Sequence, residues 1–422
     1  MKYYLKVYGC QMNKYDGLLI ETILDSAGHR KVERADESDI IIVNTCSVRD
    51  HAEKRALGHS RVLSGLGKKI AICGCMAQRM GRSLLDELGA DYIVGPGCYQ
   101  TLPGIIETDG PVVAIDHDDE LYESVIPKHN AVTVMVTVMR GCDNYCSYCI
   151  VPFVRGRVRS RKVESVITEV HEAVSSGGKE ALLLGQDITS YQHGNVNLAQ
   201  LIEEVSRVEG LRRIRFITSH PRGFGQDLIE VIGNNSKVCP HVHLPLQSGS
   251  NRILDLMNRG YTIESYLELV DQIRKAVPGV SITTDLIVGF PSETDEDYQM
   301  TIDVVRKLRF DFAYMFCYSD RPGTAAVKIT PKIPDALIKK RLIELIRLQN
   351  TITKENNEWL VGKRVEILIE QRGRRGNFLG RNPQNIMIAV DESVEIGGIY
   401  EVEVNEVRGW TPVGRIVGEV QV

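Results

Sequence analysis

Three cysteines stand close together near the middle of the chain, in the run Cys142-Asp-Asn-Tyr-Cys146-Ser-Tyr-Cys149. Cysteine thiolates are the usual ligands of iron–sulfur clusters, so this C-x3-C-x2-C spacing can hold three irons of a 4Fe–4S cluster. No further cysteine follows within the next 80 residues, which would leave the fourth iron open to an exogenous ligand. The alternative is a structural zinc site, which the run fits poorly because such sites normally close with four ligands.

Three more cysteines, Cys10, Cys46 and Cys75, are far apart in sequence, but each follows a short apolar run that predicts a strand. The carboxyl ends of parallel strands meet at one edge of a sheet, where ligands bind. These cysteines can therefore converge on a second metal centre, although each alone could be a small buried residue at a strand end. Cys98 could complete that centre as a fourth ligand, whereas Cys73 should point elsewhere.

The first 100 residues alternate apolar runs with helical stretches, which predicts a parallel α/β sheet in an N-terminal domain at 1–125. The expected strands are Tyr3–Tyr8, Asp39–Val43, Lys69–Ile72 and Asp91–Val94. Residues Glu107–Glu123 contain seven acids and no Lys or Arg. This stretch, through about Asn130, is interpreted as a surface linker or a sheet-edge segment.

Longer strand–helix units follow from about Ala131 to Gln349, and they predict a partial (β/α)6 barrel in a domain at 131–358. Its expected strands are Val132–Met139, Ala181–Leu184, Arg213–Phe216, Val242–Leu244, Ile282–Val288 and Phe312–Met315. Its expected helices include Lys162–Ser176, Thr294–Leu308 and Pro334–Trp359. A Ser-x-x-Asp pattern at Ser292–Asp295 predicts a capping box at the start of the second helix.

The tail, 360–422, changes to short alternating runs separated by turns, which is typical of a small antiparallel β-barrel. The expected strands are Arg364–Ile369, Ile386–Val390, Tyr400–Val404 and Arg415–Val420. The whole fold is therefore expected to be α/β, with an N-terminal parallel sheet, a central partial barrel and a C-terminal β-barrel.

Composition excludes several classes of protein. The 422 residues are 25% charged and 43% hydrophobic, as in soluble globular proteins. No apolar run approaches the roughly 18 residues of a membrane span, and the start has no signal-peptide core. Ten cysteines in clusters favour metal or redox chemistry over disulfides, so a cytoplasmic location is expected.

Nucleic-acid contact would have to rest on local patches, because the net charge is −4. Residues 140–162 contain six basic residues (Lys or Arg) and one acidic residue. Residues 363–381 contain six basic and two acidic residues. Such patches suit phosphate binding, although each could be a solvated face. Phe378 and Trp410 are candidates to stack single-stranded bases. The arginines expected to contact RNA are Arg155, Arg157, Arg159, Arg161, Arg372, Arg374 and Arg375.

Together these motifs resemble the radical S-adenosylmethionine superfamily, and within it the methylthiotransferases of the tRNA-modifying MiaB type. The resemblance covers essentially the whole chain, and the tail resembles a TRAM RNA-binding module. Matching segments include Tyr8-Gly-Cys10-Gln-Met-Asn13, Asn44-Thr-Cys46-Ser-Val-Arg49, Gly74-Cys75-Met-Ala-Gln-Arg79, Arg140-Gly-Cys142, Arg155-Gly156, Leu184-Gly-Gln186 and Gly289-Phe-Pro291.

The resemblance implies that Cys142, Cys146 and Cys149 bind the cluster that cleaves S-adenosylmethionine. It implies that the three N-terminal cysteines bind an auxiliary 4Fe–4S cluster that supplies sulfur, with Cys73 and Cys98 as bystanders. Further contacts to S-adenosylmethionine are expected at strand ends, each with a purely structural role as its alternative. The candidates are Gly185, Gln186, Gln247, Ser248, Asp285 and Gly289.

The implied reaction converts N(6)-isopentenyladenosine next to the anticodon of tRNA to its 2-methylthio form. The implied partners are the anticodon stem-loop, S-adenosylmethionine and a reductant such as flavodoxin or ferredoxin, with the protein as a monomer. Gln11-Met-Asn13 and Arg321-Pro-Gly-Thr324 resemble this branch, whereas Asp320 and Phe153-Val154 depart from its pattern. The alternatives are N(6)-threonylcarbamoyladenosine or a ribosomal protein as substrate, a non-catalytic iron–sulfur RNA-binding regulator, and a zinc-bound structural protein.

Overall fold

The computed structural model of the chain describes residues 1–47, 50–115 and 120–420. The strands of its N-terminal domain are β1 (Lys2–Val7), β2 (Arg30–Lys31), β3 (Ile40–Thr45), β4 (Lys69–Gly74), β5 (Tyr92–Val94) and β6 (Val112–Ala114). The helices of this domain are α1 (Gln11–Ser26), α2 (Asp50–Ser64), α3 (Cys75–Met80), α4 (Ser83–Leu88) and α5 (Leu102–Ile106). The sheet is parallel throughout, in the order β2-β1-β3-β4-β5-β6, which confirms the predicted fold. Helices cover both faces, so all six residues of β3 are buried.

The acidic stretch after this sheet is more than a surface linker. It supplies the edge strand β6, and it then brings Tyr122, which is 1% exposed, under the sheet. The Tyr122 hydroxyl donates to the carbonyl of Pro96 at 2.9 Å and accepts from the backbone N–H of Tyr99 at 3.0 Å. The acids Asp116, Asp118 and Asp119, and Arg49 of the second motif, lie outside the described residues.

Six parallel strands form the open barrel, as predicted. The strands of this domain are β7 (Thr133–Thr137), β8 (Met139–Arg140), β9 (Arg159–Ser160), β10 (Glu180–Leu184), β11 (Gln192–His193), β12 (Val196–Asn197), β13 (Arg213–Ile217), β14 (His241–His243), β15 (Ser281–Val288) and β16 (Phe312–Cys317). Its helices are α6 (Val151–Arg155), α7 (Val163–Ser175), α8 (Leu198–Ser206), α9 (Gln226–Asn234), α10 (Asn251–Leu256), α11 (Ile263–Ala276), α12 (Asp295–Leu308) and α13 (Asp335–Glu358). The arc consists of two three-stranded sheets, β13-β10-β7 and β14-β15-β16, bridged between Ile214 and Val238.

Two local predictions in this domain were wrong. The expected strand Val132–Met139 breaks after β7, because Met139–Arg140 turns to pair antiparallel with Arg159–Ser160. The capping box of α12 is formed by Thr294 and Asp297, two residues after the predicted pair. Ser292 has a positive φ of 66° and lies in the preceding turn, where it cannot act as the cap.

The C-terminal domain is a closed β-barrel in the order β17-β18-β19-β21-β20. Its strands are β17 (Arg364–Arg372), β18 (Phe378–Arg381), β19 (Met387–Val390), β20 (Ile399–Arg408) and β21 (Thr411–Glu419). The pairs are antiparallel except for β19 with β21. Sequence analysis missed β18, whose four residues are too few to show alternation. In the described residues, no helix is both long enough and apolar enough to cross a membrane.

Candidate active site

The run of three cysteines forms a compact loop between β8 and α6. The backbone N–H of Cys149 donates to the carbonyl of Cys146 at 2.9 Å, and that of Cys142 donates to the carbonyl of Gly156 at 3.2 Å. Gly141, with φ of 79°, allows this path, because a Cβ there would lie 1.9 Å from the carbonyl oxygen of Arg157. The loop is thus folded around its own backbone before any metal binds.

Two polar side chains that sequence analysis missed contact these sulfurs. Arg259 Nη1 lies 3.2 Å from Sγ of Cys146, and Asn144 Nδ2 lies 3.5 Å from Sγ of Cys142. Asn144 also donates to Asp187 at 2.7 Å, which fixes its orientation. Asn144 was detectable as a member of the cysteine run, whereas Arg259, over 100 residues away, gave no sequence signal.

Burial raises the pKa of Cys142 to about 11 and that of Cys149 to about 12. Both groups are therefore thiols at neutral pH in the absence of a bound cation. Iron binding must displace their protons, as expected for thiolate ligands.

The six candidates for binding S-adenosylmethionine divide into two groups. The amide oxygen and nitrogen of Gln186 are buried and have no hydrogen-bond partner among the described residues. The same is true of the amide oxygen of Gln247. Asp285 lies 3.5 Å from Nε2 of His243 and is partly exposed. Since buried polar groups are normally paired, the two glutamine side chains are suited to a polar ligand. Asp285 is accessible to one but already has His243 as a partner.

The other three candidates have structural explanations. A Cβ at Gly185 would lie 2.7 Å from the side chain of Met139, and one at Gly289 would lie 2.5 Å from Ile338. Ser248 is fully buried, and its hydroxyl lies 3.5 Å from that of Thr301. These residues allow close packing at the strand ends, and no unpaired polar atom at them points to a ligand.

The three N-terminal cysteines follow β1, β3 and β4, which are neighbouring strands of the parallel sheet. Cys10 precedes α1, Cys46 follows β3, and Cys75 begins α3. A hydrogen bond with Cys46 and, to a smaller extent, the nearby Arg155 guanidinium lower the pKa of Cys10 to about 6, against the raising effect of burial. Gly9, with φ of 121°, permits this convergence, because a Cβ there would lie 2.4 Å from Cβ of Cys46.

The remaining cysteines of this domain face its apolar core. Cys73 and Cys98 belong to the hydrophobic cluster that contains Leu19 and Tyr92. Burial raises the pKa of Cys73 well above its usual value, so this thiol stays protonated. The interpretation of both residues as bystanders stays a prediction.

Neither set is arranged around one point. Within residues 1–47, 50–115 and 120–420, no three His, Cys, Asp or Glu side chains are close enough to hold a single metal ion. A cubane cluster places its protein ligands on different irons, so its sulfurs do not meet at a single point. The donor set of two cysteine triads therefore fits such clusters better than it fits one zinc ion.

The two cysteine sets lie close together because the barrel docks onto the N-terminal sheet through buried ion pairs. Asp16 of α1 accepts from Arg140 at 2.8 Å and from Arg155 at 2.6 Å. Glu169 of α7 binds Arg161 through a short ion pair of 2.5 Å and accepts from the hydroxyl of Tyr15 at 3.0 Å. The five-residue helix α6 then connects Cys149 to Arg155 across this interface.

This docking corrects part of the predicted RNA surface. Arg155 and Arg161 are 5% and 1% exposed. Arg155 is ion-paired with Asp16 across the interface and Arg161 with Glu169 of α7, so neither is available to contact phosphate. Arg157 is exposed and pairs with Asp143, while Arg159 is half-buried and donates to the carbonyl of Arg155. A count of charges along the sequence does not reveal carboxylates that lie over 100 residues away in α1.

The C-terminal patch, in contrast, is at the surface. Arg372, Arg374 and Arg375 are exposed at the tip of the β17–β18 hairpin. None of the three forms an ion pair with another described residue. The Arg372 guanidinium lies 5.9 Å from the centre of the Phe378 ring, so cationic and aromatic groups are combined there.

Family models match all three domains. The Radical SAM superfamily model matches residues 136–305, the TRAM domain model matches 358–417, and the model of the uncharacterized protein family UPF0004 matches 2–95. The barrel thus carries the fold of enzymes that use S-adenosylmethionine and a 4Fe–4S cluster.

Two solved structures share this fold at low sequence identity. A radical S-adenosylmethionine methyltransferase, TsrM, from Kitasatospora setae has a TM-score of 0.60 at 16% identity, over 77% of this chain and 76% of that chain. The cobalamin-dependent radical enzyme OxsB has a TM-score of 0.55 at 13% identity, over 83% of this chain and 57% of that chain.

Curated relatives are similar over nearly their full length. Proteins named tRNA-2-methylthio-N(6)-dimethylallyladenosine synthase are 39% identical in Thermodesulfovibrio yellowstonii and 42% identical in Moorella thermoacetica. The alignments cover 98% of both chains in the first case and 97% of both in the second. This chain belongs to the radical S-adenosylmethionine methylthiotransferase family, in the group that includes these synthases.

Proposed function

We propose that this protein is a tRNA methylthiotransferase that converts N(6)-isopentenyladenosine next to the anticodon to 2-methylthio-N(6)-isopentenyladenosine. It would use two 4Fe–4S clusters and S-adenosylmethionine both as methyl donor and as radical source. The observation that carries the proposal is the packing of Cys75, from the N-terminal set, against the segment that directly follows the cysteine run of the barrel. Helix α6 begins two residues after Cys149, and its Val154 packs in one buried cluster with Cys75 and Ile150.

The cysteine run of the barrel is suited to hold the cluster that cleaves S-adenosylmethionine. When bound, that cluster supplies the electron for cleavage and leaves one iron for the methionine group of the cofactor. Arg259 and Asn144 orient Cys146 and Cys142 by donating to their sulfurs. The unpaired amide of Gln186 would accept from and donate to the cofactor, and the unpaired Oε1 of Gln247 would accept from it.

The N-terminal triad would hold the auxiliary cluster, whose sulfur is joined to carbon 2 of the adenine. Cys10, Cys46 and Cys75 provide three thiolates, which leaves one iron for an exogenous sulfur ligand. The adenine must reach a point between the two triads. An anticodon loop makes this possible at low cost, because its bases are already unpaired.

The C-terminal barrel would hold the anticodon stem-loop through the hairpin arginines Arg372, Arg374 and Arg375. A reductant such as flavodoxin or ferredoxin would supply electrons, and the enzyme would act as a monomer. Both of these are inferences from the family, and neither depends on a particular contact.

The test uses anaerobically reconstituted protein with dithionite, S-adenosylmethionine and isopentenylated tRNA. Iron and sulfide are counted, and 5′-deoxyadenosine and the methylthio nucleoside are measured by mass spectrometry. About eight irons per chain with both products is the expected result, since each cluster holds four irons. Four irons or fewer would contradict the auxiliary cluster. A transcript that lacks the isopentenyl group is the matched control.

Substitutions separate the two cysteine sets. Cys75→Ala should retain 5′-deoxyadenosine formation and lose sulfur insertion, whereas Cys142→Ala should lose both. Cys98→Ala and Cys73→Ala are the controls and should retain both products. Loss of sulfur insertion in a control, with its retention in Cys75→Ala, would overturn the ligand assignment.

The same measurement separates the alternatives. Both clusters and 5′-deoxyadenosine without the expected nucleoside would direct the search to N(6)-threonylcarbamoyladenosine or to a ribosomal protein. A non-catalytic iron–sulfur regulator would bind tRNA without consuming S-adenosylmethionine. A zinc-bound structural protein would take up neither iron nor sulfide.

A further inference from the structure

Arg155 belongs to the barrel domain, but its guanidinium lies within the N-terminal domain. Its Nη2 donates to Asp16 Oδ2 at 2.6 Å and to Asn13 Oδ1 at 3.2 Å. Its Nη1 is buried and has no hydrogen-bond acceptor among the described residues. One half of this guanidinium is therefore fixed, and the other half carries an N–H group that still needs an acceptor.

Two of the three N-terminal cysteines, Cys10 and Cys75, lie near the Arg155 guanidinium. Val154, next to Arg155 in α6, packs against Cys75. Asn13 Oδ1, which accepts from Arg155, is also 3.7 Å from Sγ of Cys10. The Arg155 guanidinium itself lies beside the Cys75 thiol.

The charges around Arg155 do not balance. Arg140 and Arg155 are both buried, and they share one carboxylate, that of Asp16. The third contact of this carboxylate, at 3.3 Å, is the neutral hydroxyl of Tyr99. A buried guanidinium without a full counter-charge is costly, so Arg155 depends on anions besides Asp16, and the Cys10 sulfur or a sulfur ligand beside it can provide that charge. Arg140 has its open face over the ring of Tyr122 at 4.8 Å, which leaves Arg155 as the group that would bind the anion.

We propose that Arg155 binds an anionic sulfur ligand, hydrosulfide or methanethiolate, at the open position of the auxiliary centre. This role rests on the proposed function, because that function places a transferable sulfur next to Cys10, Cys46 and Cys75. The unpaired Nη1–H donates to the sulfur, and Asp16 with Asn13 holds the guanidinium in place. Arg155 is thus a positioning residue for the sulfur, contributed by the domain that generates the radical.

The test compares Arg155→Met, Arg155→Lys and Arg140→Met in the reconstituted full-length enzyme. Arg140→Met is the matched control, since Arg140 shares Asp16 but approaches no cysteine among its described contacts. Iron content and far-UV circular dichroism confirm that each variant is folded and loaded. Methanethiolate and hydrosulfide are then titrated separately, and the change in the electron paramagnetic resonance signal gives a Kd for each.

Arg155→Met should weaken methanethiolate binding about tenfold, the loss of about one charge-assisted hydrogen bond. Arg155→Lys should recover part of the affinity, and Arg140→Met should bind as the unsubstituted protein does. The ratio of methylthio nucleoside to 5′-deoxyadenosine should fall in parallel in Arg155→Met. If hydrosulfide alone depends on Arg155, the ligand is the unmethylated sulfur.

Unchanged Kd values for both sulfur ligands in Arg155→Met would overturn the proposal. Equal weakening in Arg140→Met would also overturn it, because the effect would then be structural. If Arg155→Met fails to load iron, the Kd of Arg155→Lys for methanethiolate is used instead. A value equal to that of the unsubstituted protein would then overturn the proposal. If the unsubstituted enzyme binds methanethiolate through Arg155 yet modifies no tRNA, the inference stands and the proposed function falls.

Discussion

Nη1 of Arg259 lies 3.2 Å from Sγ of Cys146, across 113 residues of sequence. The guanidinium is buried, and it is held in place by the carbonyl of Pro245 at 3.2 Å and by the hydroxyl of Tyr261 at 3.1 Å. A cation that donates to one cysteine sulfur stabilises negative charge on that sulfur. The electronic properties of the barrel cluster therefore depend on a residue that is not one of its ligands.

Replacing Arg259 by Met should lower the reduction potential of the barrel cluster, by roughly 50 mV for the loss of one hydrogen bond to sulfur. Cleavage of S-adenosylmethionine by a weak reductant should slow accordingly. The measurement is a potentiometric titration followed by electron paramagnetic resonance. Arg222→Met is the control, since Arg222 contacts Asn144 at 2.9 Å and no described sulfur. An unchanged potential in Arg259→Met would contradict this role.

Asp16→Asn should destabilise the docking of the barrel onto the N-terminal sheet. It leaves two buried guanidinium groups without their carboxylate, at a cost of about 3–5 kcal/mol in the free energy of unfolding. Asp36→Asn removes an exposed pair with Arg34 and should lower the free energy of unfolding far less, because solvent screens that pair. Urea unfolding of the full chain compares the two variants. An equal decrease in the free energy of unfolding would show that the buried ion pairs contribute no more than the exposed one.

Replacing Arg372, Arg374 and Arg375 together by Gln should weaken tRNA binding and leave S-adenosylmethionine cleavage intact. The slope of log affinity against log salt should fall by about 2–3, at roughly 0.7–0.9 per phosphate contact. The control replaces Arg408 and Arg415, which are exposed in the same barrel but paired with Glu406 and Glu403. Binding of tRNA is measured by filter retention at several salt concentrations. Equal loss in the control would indicate a general charge effect.

Protonation of Asp297 at low pH should destabilise the N-terminus of α12. Although burial raises its pKa, hydrogen bonds from Arg252, Ser250 and Thr294 prevail and lower it from 3.8 to about 2. Because the folded-state pKa lies below the unfolded one, the carboxylate stabilises the fold above about pH 4. That contribution, about 2 kcal/mol at pH 7, is lost as the pH falls through 2.

Asp297→Asn should therefore reduce stability most at pH 7, and about half of the difference should remain at pH 3. Urea unfolding of the metal-free chain at both pH values measures it. The matched control is Asp303→Asn in the same helix, where the exposed pair with Arg306 should give a small change at either pH. A difference for Asp297→Asn that is independent of pH would contradict the role of the carboxylate.

Local pattern was sufficient to predict the fold class and most strands. The parallel strands are almost continuously apolar because both faces are covered, so they stand out even in a single sequence. The strands β6 and β18 lacked that signal, since they are short and lie at an edge or in a small barrel. The buried Tyr122 was missed because the acids around it are exposed, and its own burial depends on contacts with Tyr99 and Pro96.

The sequence by itself determined which residues can do chemistry, because the cysteine spacing of the barrel loop is local and thiolate chemistry is a property of the residue. The positions of Cys10, Cys46 and Cys75 after three strands also predicted their convergence, since parallel strands end at one edge. Only the tertiary structure decided which charges face solvent. The same sequence segment contains the exposed Arg157 and the buried Arg155, and their difference is made by Asp16, about 140 residues away. Pairing between distant residues depends on how the domains pack, and no local pattern along the chain encodes it.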